Sequence, residues 1–574
     1  MAHPENRWTV LPEKPELQEI LQKELGISPL LSRLLVNRNI TSPEDASKFL
    51  FSTLSDLTSP FLMKGMKKAC RRIVEAIYRK EKICVYGDYD ADGVTGTAVL
   101  KHFLQSVGAE VTFYIPDRLT EGYGLHISSL EQIRADGVSL VITVDCGSSD
   151  NEAVRFAREH GMDIIITDHH EVPEHLPDAF AILNPMQKDC PFSFKHLAGV
   201  GVAFYLVIAL RKVLREEGYW ADRQPPNLRD YLDLVALGTL ADIVPLIEEN
   251  RIFVKHGIDV MSQSTRPGII ALKKVSRVES GSITPDIVSF RIAPRINAAG
   301  RLGKASKAAL LLTTESPSEA YHLARELDDA NAERQYIEST IFKQACRLIE
   351  ESETAAHQNI IVLGSSEWHP GVIGIGAARL VERYYRPAIL IAFEGDIGHG
   401  SARSIEAFHI YNGLKECEDL LEKFGGHEFA AGLTIAKHNI DTFRERLNAL
   451  VVQAINPDDL VPKLCIDAAI DLSQIDEAFV EEIRCLAPFG THNPAPLFLS
   501  GVFSASDPRI VGNGHLKMRT AGKRTNLDII GFGMAELMPD TASPLRAVFS
   551  PEINVWQGIK RIQLTIKDLR IETT

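Results

Sequence analysis

Residues 82–93 of this chain, KICVYGDYDADG, decide its fold. The apolar start runs into three acids spaced two apart, and two later apolar runs also end in acid or imidazole: SLVITVD at 139–145 and DIIITDHH at 163–170. Runs rich in Val and Ile are typical of strands buried on both faces of a parallel sheet. Ligands bind such sheets outside the carboxyl ends of the strands. The sequence therefore predicts carboxylates and imidazoles gathered at one sheet edge around two divalent metal ions, an arrangement suited to phosphoester hydrolysis.

Length and composition bound the class of protein. A chain of 574 residues is too long for one core and should form several domains. The net charge of −14 disfavours a protein whose whole surface wraps duplex DNA, but it leaves room for nucleic acid in a local basic groove. No apolar stretch is long enough to cross a bilayer and no signal peptide is recognisable, so we expect a cytoplasmic protein. The eight cysteines form no C-x-x-C pair, and we expect no structural zinc site.

The pattern along the chain predicts an α/β fold with several parts. Strands alternate with helices from about residue 60 to 210, which indicates a doubly wound parallel sheet. Residues 318–357 contain no Gly or Pro, which predicts a helix about 60 Å long at ~1.5 Å per residue. A smaller α/β region follows, and short alternating runs after about residue 456 predict a β-barrel. The expected boundaries are 1–58 for an N-terminal helical segment, 59–315, 316–357 for the connecting helix, 358–455 and 456–574.

The acids of the DYDADG segment have other interpretations. Asp88, Asp90 and Asp92 could be solvated turn acids with one helix N-cap, and alternating acids also occur in EF-hand loops. An EF-hand is excluded because an apolar strand precedes the acids and no suitably placed Glu follows. His169 and His170 follow a buried strand, where imidazoles need partners, although a lone histidine pair is more often structural.

Two further acids complete the pattern. Asp145 ends the run SLVITVD and Asp242 lies in LGTLADIVP, where each could simply cap a helix. Four separate segments therefore supply acid or imidazole, which favours a shared site over four unrelated caps.

The motifs DYDADG, VDCG, TDHH and GTLADIVP, in this order, resemble the signature of the DHH phosphoesterase superfamily. Other segments are similar to those of its RecJ family of bacterial single-strand-specific exonucleases: YGDYDADGVTGTA, FYIPDRLTEGYGL, TDHHEVP, HLAGVGVAF, INAAGRLG, WHPGVIGIGAARL, GSARS and FGGHEFAAG. The resemblance runs from about residue 60 to the C-terminus. It implies a DHH catalytic domain at 59–315, a DHH-associated substrate-binding domain at 358–455 and an oligonucleotide-binding (OB)-like domain at 456–574.

The resemblance also implies roles for single residues. Asp145 would bridge two manganese or magnesium ions, and His170 would contact the scissile phosphate or hold a ligand in place. Manganese is favoured because an imidazole joins the carboxylates. The implied metal ligands are Asp88, Asp90, Asp92, Asp145, His169 and Asp242. The implied catalytic residues are Asp90, Asp92, Asp145, His169, His170 and Asp242.

Positive charge for a phosphodiester is expected from Arg118, Arg301 and Arg403. On sequence alone each is more often a solvated surface residue, but glycine-flanked loops let a guanidinium group approach a phosphate closely. The resemblance implies that Arg118, Arg301 and Arg403 form a pocket for the 5′-terminal phosphate, with Ser401 helping Arg403.

Two histidines complete the expected substrate contacts. His427 in FGGHEFAAG and His369 in WHPG could mark only a helix end and a helix start. The resemblance implies that both face the nucleotide channel. The basic residues around two predicted hairpins of the barrel would line it for a single strand. They are Lys517, Arg519, Lys523, Arg524, Lys560, Arg561, Lys567 and Arg570.

We therefore expect a single-strand-specific 5′→3′ DNA exonuclease that releases 5′-mononucleotides by two-metal hydrolysis, in DNA repair and recombination. The expected partners are single-stranded DNA, a single-strand-binding protein and a helicase. We expect a monomer that does not bind membranes. One alternative is a DHH phosphoesterase acting on short oligonucleotides, cyclic dinucleotides or pyrophosphate, which would need no barrel. Another is a DNA-binding scaffold without catalysis, which degenerate metal motifs would mark; here every acidic and histidine position is present.

Overall fold

The computed structural model of this chain describes residues 5–278, 283–351, 358–512, 514–521, 526–540, 543–556 and 559–572. The described strands are β1 (Arg7–Val10), β2 (Lys82–Gly87), β3 (Glu110–Tyr114), β4 (Val138–Val144), β5 (Asp163–Thr167), β6 (Ala181–Leu183), β7 (Ile361–Ser365), β8 (Ala388–Glu394), β9 (Ile397–Arg403), β10 (Leu421–Gly426), β11 (Ala430–Ala436), β12 (Lys463–Ile466), β13 (Ala468–Ile470), β14 (Phe498–Ser500), β15 (Phe503–Val511), β16 (His515–Thr520), β17 (Asp528–Gly531), β18 (Pro544–Trp556) and β19 (Ile559–Ile571).

The described α-helices are α1 (Pro15–Leu25), α2 (Pro29–Asn37), α3 (Pro43–Phe51), α4 (Met66–Arg79), α5 (Ala91–Ser106), α6 (Ile127–Ala135), α7 (Asn151–Glu159), α8 (Gly199–Glu216), α9 (Leu232–Ala241), α10 (Glu248–Ser262), α11 (Pro267–Val275), α12 (Pro285–Ile287), α13 (Ala293–Arg301), α14 (Ala305–Thr313), α15 (Pro317–Glu351), α16 (Ile373–Tyr384), α17 (Ile410–Lys415), α18 (Ile440–Ala454) and α19 (Glu477–Arg484). These elements form two compact units. We call them the parallel-sheet unit (Phe51–Arg334 and Pro488–Pro494) and the barrel unit (Met1–Leu50, Gln335–Ala487 and Ala495–Thr574).

The parallel-sheet unit contains five parallel strands in the order β3-β2-β4-β5-β6. Six of the seven residues of β4 are buried, as expected for a strand covered on both faces. One apolar cluster with Phe103 and Tyr205 covers one face, and another with Tyr86 and Leu130 covers the other. From β2 the chain runs to β3 and then returns to the opposite side of β2 with β4. The loops after β2 and β4 therefore flank the switch point of the sheet, where such folds bind ligands.

Helix α9 carries one of the predicted site residues to this edge. Every residue of α9 from Leu232 to Leu240 is buried, because the helix is apolar on all sides and lies within the core. Asp242 is the C-cap of this helix, so the burial of α9 fixes the position of that carboxylate relative to the edge of the sheet.

The barrel unit contains two larger sheets. The first is mixed, with the order β10-β11-β9-β8-β7, and the second has the order β13-β14-β18-β15-β16-β17-β19. In the second sheet β18 also pairs with β19, which closes the strands into a barrel. The predicted fold class is confirmed: a doubly wound parallel sheet, a smaller α/β part and a C-terminal β-barrel, with a long helix before the smaller part.

That long helix, α15, begins with Pro317 at its first turn, where a missing N–H costs nothing. It has 35 described residues, which corresponds to about 52 Å at ~1.5 Å per residue. The last six residues of the predicted helix, 352–357, lie outside the described residues. No helix in the described part of the chain has both the length and the hydropathy needed to cross a bilayer.

The N-terminal segment differs from the expectation. Helices α1, α2 and α3 are present, but they are preceded by strand β1, which pairs in parallel with β12. The Trp8 indole N–H donates to Asp568 at 2.7 Å, and the Arg570 guanidinium lies 4.1 Å from the Trp8 ring centroid. A four-residue strand with partners more than 400 positions away has no local signal, and so the sequence pattern did not indicate it.

Candidate metal centre

Three strand ends and one helix end bring the predicted acids and histidines together. Asp88 directly follows β2, Asp145 follows β4, and Asp168 to His170 follow β5. Asp242 follows α9. Ligand atoms within 4.8 Å of one another form three overlapping groups. They are Asp88, Asp90 and Asp145; Asp145, His169 and His170; and Asp92, His169 and Asp242.

The centre of the cluster is the Nε2 atom of His169. It lies 3.0 Å from Oδ1 of Asp145, 3.5 Å from Oδ2 of Asp242 and 3.9 Å from Oδ2 of Asp92. Asp145 belongs to two of the groups, and its Oδ1 atom also contacts His169, a member of the third.

Three buried atoms in this cluster have no hydrogen-bond partner among the described residues: Asp88 Oδ1, Asp145 Oδ1 and His169 Nε2. Buried polar atoms are nearly always paired, and an unpaired one needs an explanation such as an ion. A divalent cation satisfies carboxylate oxygens and an imidazole nitrogen together, and this donor set suits manganese. The residues therefore fit the predicted metal ions.

Backbone amides fix the carboxylates of the DYDADG segment. Asp90 is the N-cap of α5 and accepts the N–H groups of Asp92 and Gly93 at 2.9 and 3.1 Å. Asp92 accepts the N–H groups of Gly199 and Val200 at 2.5 and 2.8 Å, which are the first amides of α8. The Asp92 carboxylate thus caps a second helix and is stabilised by its positive end.

Glycines make room for the acids. A Cβ at Gly199 would lie 2.7 Å from the Cβ of Asp145, and a Cβ at Gly93 would lie 2.6 Å from the backbone N of Asp88. Both distances are below any ordinary contact between heavy atoms. The helices that carry these glycines can approach the strand ends only because no side chain stands between them.

Asp145 itself has a strained backbone. Its φ is +63°, in the left-handed region that non-glycine residues rarely adopt. Its N–H donates to Thr167 O at 2.9 Å, and its carbonyl accepts the hydroxyl of Tyr123 at 3.1 Å. Strain of this kind persists only where the surroundings enforce it, and it is concentrated at functional sites.

Asp168 fixes His170. The carboxylate accepts the N–H groups of Ser148, His169 and His170 and contacts Nδ1 of His170 at 2.8 Å. Burial opposes charge on both side chains, but their hydrogen bond and mutual attraction outweigh it, so the pKa of Asp168 is lowered and the pKa of His170 is raised. This pair therefore favours a carboxylate beside a cationic imidazole, which Tyr123 also contacts at 3.1 Å.

Without a cation, the other carboxylates of the cluster would repel one another. Burial, and then repulsion from the neighbouring acids, raises the pKa of Asp88, Asp145 and Asp242 well above the usual range. The same causes raise the pKa of Asp92 to about 7, and burial lowers the pKa of His169 to about 4. A cation in the cluster would reverse the preference for protonated carboxylates, and its binding would release protons.

Two of the predicted arginines belong to the parallel-sheet unit. The Arg118 guanidinium lies 5.2 Å from the ring centroid of Tyr89, a residue of the DYDADG segment. Arg301 is the last residue of α13 and is partly buried. Asn297 on the same helix accepts the N–H of Ala91 at 2.8 Å, so α13 lies against the start of α5. Both arginines therefore lie on segments next to the metal cluster.

The other predicted contacts belong to the barrel unit. On β9 the Arg403 guanidinium lies 3.3 Å from the Ser401 hydroxyl. A Cβ at Gly374, in the first turn of α16, would meet the Ser401 hydroxyl at 2.8 Å and the Arg403 guanidinium at 3.2 Å. The sheet thus presents a hydroxyl and a guanidinium next to the positive end of a helix, a combination suited to phosphate.

The two histidines of the barrel unit differ in environment. His369 is partly buried and its Nδ1 accepts the N–H of Gly371 at 3.1 Å, at the turn before α16. His427 lies in the turn between β10 and β11, and its side chain is exposed. Among the basic residues predicted to line the barrel, Arg519 pairs with Asp528 at 2.8 Å and Lys560 is exposed. Lys523 and Arg524 lie outside the described residues.

Sequence reasoning missed four contributors to the cluster. They are the amides of Gly199 and Val200, Asn297, Tyr123 and Asp168 in its positioning role. The segments HLAGVG, INAAGR and EGYG contain the first three, and their glycines were the available signal. Only the three-dimensional structure shows which residues pack against those glycines.

Three sequence models of known families match the chain. The "DHH family, N-terminal domain" matches residues 82–239, the "DHHA1 domain" matches 357–453 and the "RecJ OB domain" matches 466–568. The three matches follow one another along the chain, from the parallel strands to the barrel.

Similar proteins match nearly the full length of this chain. The single-stranded-DNA-specific exonuclease RecJ of Bacillus subtilis is 40% identical over 573 residues, 98% of this chain and 71% of that protein. The RecJ of Salmonella typhimurium is 36% identical over 570 residues, 96% and 98% of the two chains. The crystal structure of RecJ from Thermus thermophilus in complex with Mn²⁺ superposes with a TM-score of 0.82 at 31% identity, covering 99% of this chain and 80% of that chain. Its complex with Mg²⁺ gives a TM-score of 0.76 at 31% identity, covering 99% and 79%.

Proposed function

The chain belongs to the RecJ family of single-stranded-DNA-specific exonucleases, and from this membership we propose how its residues carry out the reaction. It is a metal-dependent exonuclease that hydrolyses phosphodiester bonds of single-stranded DNA and uses Mn²⁺ or Mg²⁺. The observation that carries the residue assignment is the pair Asp145 Oδ1 and His169 Nε2. The two atoms are 3.0 Å apart, buried, and without a hydrogen bond to any described residue.

The cluster would hold two ions. One would lie among Asp88, Asp90 and Asp145, and the other among Asp92, His169 and Asp242. We assign the bridging position to Asp145, since it belongs to the first of these groups and its Oδ1 atom lies 3.0 Å from Nε2 of His169 in the second. When bound, such ions polarise a phosphoryl oxygen and activate water at neutral pH. The chain supplies the rigid acids, whose spacing is set by β2, β4, β5 and α9.

His170 would act on the phosphate. Asp168 holds its ring and raises the pKa of His170, which favours the imidazolium form. Such a cation would donate to a non-bridging oxygen of the scissile phosphate as negative charge develops there. Arg118 and Arg301, on segments next to the cluster, would hold neighbouring phosphates.

The direction of digestion would come from the barrel unit. Ser401 and Arg403, with the first turn of α16, would bind the 5′-terminal phosphate and so select that end of the strand. His369 and His427 would contact nucleotides of the same strand. These assignments give 5′→3′ digestion with release of 5′-mononucleotides.

We also propose the setting of the reaction. The family suggests a monomer that works in the cytoplasm during DNA repair and recombination, behind a helicase and with a single-strand-binding protein. The domain limits proposed from the sequence are 1–58, 59–315, 316–357, 358–455 and 456–574. The barrel would grip the strand beyond the cleaved end, since barrels of this type bind single strands.

Digestion of matched substrates tests this function. We expect mononucleotides from 5′-phosphorylated linear single strands in Mn²⁺, none in excess chelator, and little cleavage of the same sequence as a duplex. Closed circular single strands should resist, because they have no 5′ phosphate. Equal cleavage of circles and linear strands would remove the end-binding pocket from the assignment. Persistent cleavage in chelator would remove the metal centre.

A further inference from the structure

A short hairpin lies against the loop that follows Asp242. Residues Pro488–Pro494, PFGTHNP, belong to the parallel-sheet unit, although the residues on both sides of them in the sequence belong to the barrel unit. Gly490 and Asn493 exchange two backbone hydrogen bonds of 2.9 and 3.0 Å. The Asn493 side chain is fully buried and donates to the carbonyl of Pro488 at 2.8 Å. The hairpin is therefore held in one shape by its own hydrogen bonds.

The hairpin touches the loop at Leu246 in two ways. The N–H of Leu246 donates to the carbonyl of Thr491 at 2.8 Å. The Leu246 side chain is only 2% exposed, and a Cβ at Gly490 would lie 2.6 Å from its Cδ1 atom. Glycine is thus the residue that lets the hairpin backbone lie against this leucine.

The loop between Asp242 and Leu246 needs such support. Ile243 has φ +61°, which is strained for a β-branched residue, and its side chain is 70% exposed, so its own packing does not enforce the strain. On the other side of the loop, the Asn250 amide donates to Pro245 O at 3.0 Å. Because that hydrogen bond and the Leu246 contacts hold the loop from two sides, its backbone has little freedom to leave the strained conformation. Relaxation of Ile243 would move the adjacent Asp242, whose carboxylate lies 3.5 Å from Nε2 of His169.

We propose that the 488–494 hairpin is a positioning element for the metal centre: through Leu246 it holds the strained loop that places Asp242 against the ion shared with Asp92 and His169. The inference rests on the proposed function, because it assumes that Asp242 is a metal ligand. Residues behind the ligands of a metal typically change its affinity about 10- to 100-fold when they are substituted. Gly490, Thr491 and Leu246 are positioning residues in this sense and do not touch the substrate.

Gly490→Ala tests the proposal, with Gly501→Ala as the matched control. Gly501 lies eleven positions further along, and a Cβ there meets nothing within 4 Å. Mn²⁺ affinity is measured directly by electron paramagnetic resonance of the unbound ion, at a temperature where circular dichroism shows each variant folded. We expect Gly490→Ala to weaken the affinity of one Mn²⁺ site about tenfold and to lower kcat, with KM for single-stranded DNA unchanged. Gly501→Ala should match the unsubstituted enzyme.

A second-site variant separates positioning from general destabilisation. Leu246→Ala removes the atoms that the new methyl group would meet, so Gly490→Ala should cost much less in Mn²⁺ affinity when added to Leu246→Ala. Leu246→Ala alone should also weaken Mn²⁺ binding, which gives a readout if Gly490→Ala does not fold. Unchanged Mn²⁺ affinity in folded Gly490→Ala or in Leu246→Ala, or an equal cost in both backgrounds, overturns the proposal. If the unsubstituted enzyme bound no Mn²⁺ or left single strands intact, the proposed function would fail instead.

Discussion

The metal cluster and the turn at His427, both proposed to meet the DNA strand, differ in how they present their polar side chains. In the cluster, Asp92 is buried with both carboxylate oxygens on backbone amides, and Asp145 is held in a strained conformation. In the β10–β11 turn, His427 is exposed and Phe429 is 47% exposed. Groups that stabilise charge developing in the transition state must be held in position before the reaction and shielded from water. A surface that grips a moving strand must instead stay open, so single substitutions there should cost far less.

Asp145→Asn should have the largest effect. It removes the charge placed between the two proposed ions, and several kcal/mol of charge stabilisation correspond to a loss of about a thousandfold in kcat. The measurement is mononucleotide release from 5′-labelled single strands in Mn²⁺. Asp136→Asn, an exposed acid of the same unit, is the control and should remain fully active. Retention of even a tenth of the activity by Asp145→Asn would contradict its central role.

Gly199→Ala should come next, because its new methyl group would lie 2.7 Å from the Cβ of Asp145. We expect Mn²⁺ affinity to fall by roughly 10- to 100-fold, as for other residues behind a metal site. Gly201→Ala, two positions along α8, is the matched control. Its nearest neighbour is the flexible Leu197 side chain at 3.3 Å, and activity should change by less than about twofold, while the better helix former adds up to about 1 kcal/mol of stability. Equal effects of the two substitutions would mean that the approach to Asp145 does not matter.

In the barrel unit, Arg403→Ala should have an intermediate effect on kcat/KM. Loss of charge-assisted hydrogen bonds costs about 1.5–3 kcal/mol, or roughly 10- to 150-fold in kcat/KM. The loss should appear on 5′-phosphorylated strands and be much smaller on strands with a 5′ hydroxyl. Arg446→Ala, an arginine of the same unit paired with Asp419 at the surface, should digest both substrates normally. A loss of the same size on both substrates would separate Arg403 from the end phosphate.

The stabilisation of the folded protein by Mn²⁺ should depend on pH because of the cluster, with a smaller effect than the substitutions above. Because burial and then Asp90 raise the pKa of Asp92 to about 7, the folded chain without metal binds more protons than the unfolded chain between about pH 4 and 7. Its stability therefore falls as the pH rises through that window, whereas Mn²⁺ binds best once the proton has left. We expect the increase in Tm caused by Mn²⁺ to be about 2–4 °C larger at pH 8 than at pH 6, measured by thermal shift with matched chelator samples. An equal increase at the two pH values would show that the acids are already ionised in the metal-free protein.

His427→Ala should have the smallest effect. The side chain is exposed, and we expect KM for single-stranded DNA to rise about two- to threefold with kcat unchanged. His438→Ala, another exposed histidine of the same unit, is the control for loss of an imidazole and should leave KM unaltered. A tenfold fall in kcat would place His427 with the cluster and break the contrast between the two regions.

The sequence predicted the elements whose signal is local. The apolar runs ending at Asp88, Asp145 and Asp168 are strands of one parallel sheet, and the described part of the segment without Gly or Pro is a helix that runs to Glu351. Asp145 and His169 lie in one cluster, as expected because parallel strands present their carboxyl ends at one edge. Asp242 joins this cluster from the end of α9.

What escaped prediction depends on tertiary contact. Strand β1 exists because β12 is beside it, and the amides of α8 bind Asp92 only when the fold is complete. The 488–494 hairpin was assigned by its position in the sequence to the barrel, yet it packs on Leu246. None of these partners is close in sequence. A glycine indicates that another part of the chain packs closely against it, but it does not identify that part.

The pairing of β1 with β12 has a consequence for synthesis on the ribosome. The five parallel strands are all translated once Leu183 has emerged, and domains commonly fold while the rest of the chain is still being made. Residues Arg7–Val10 must wait until Lys463 appears, and Trp8 must wait for Asp568. This segment therefore leaves the ribosome long before its native neighbours are made, and an unpaired strand in a nascent chain is prone to aggregate meanwhile.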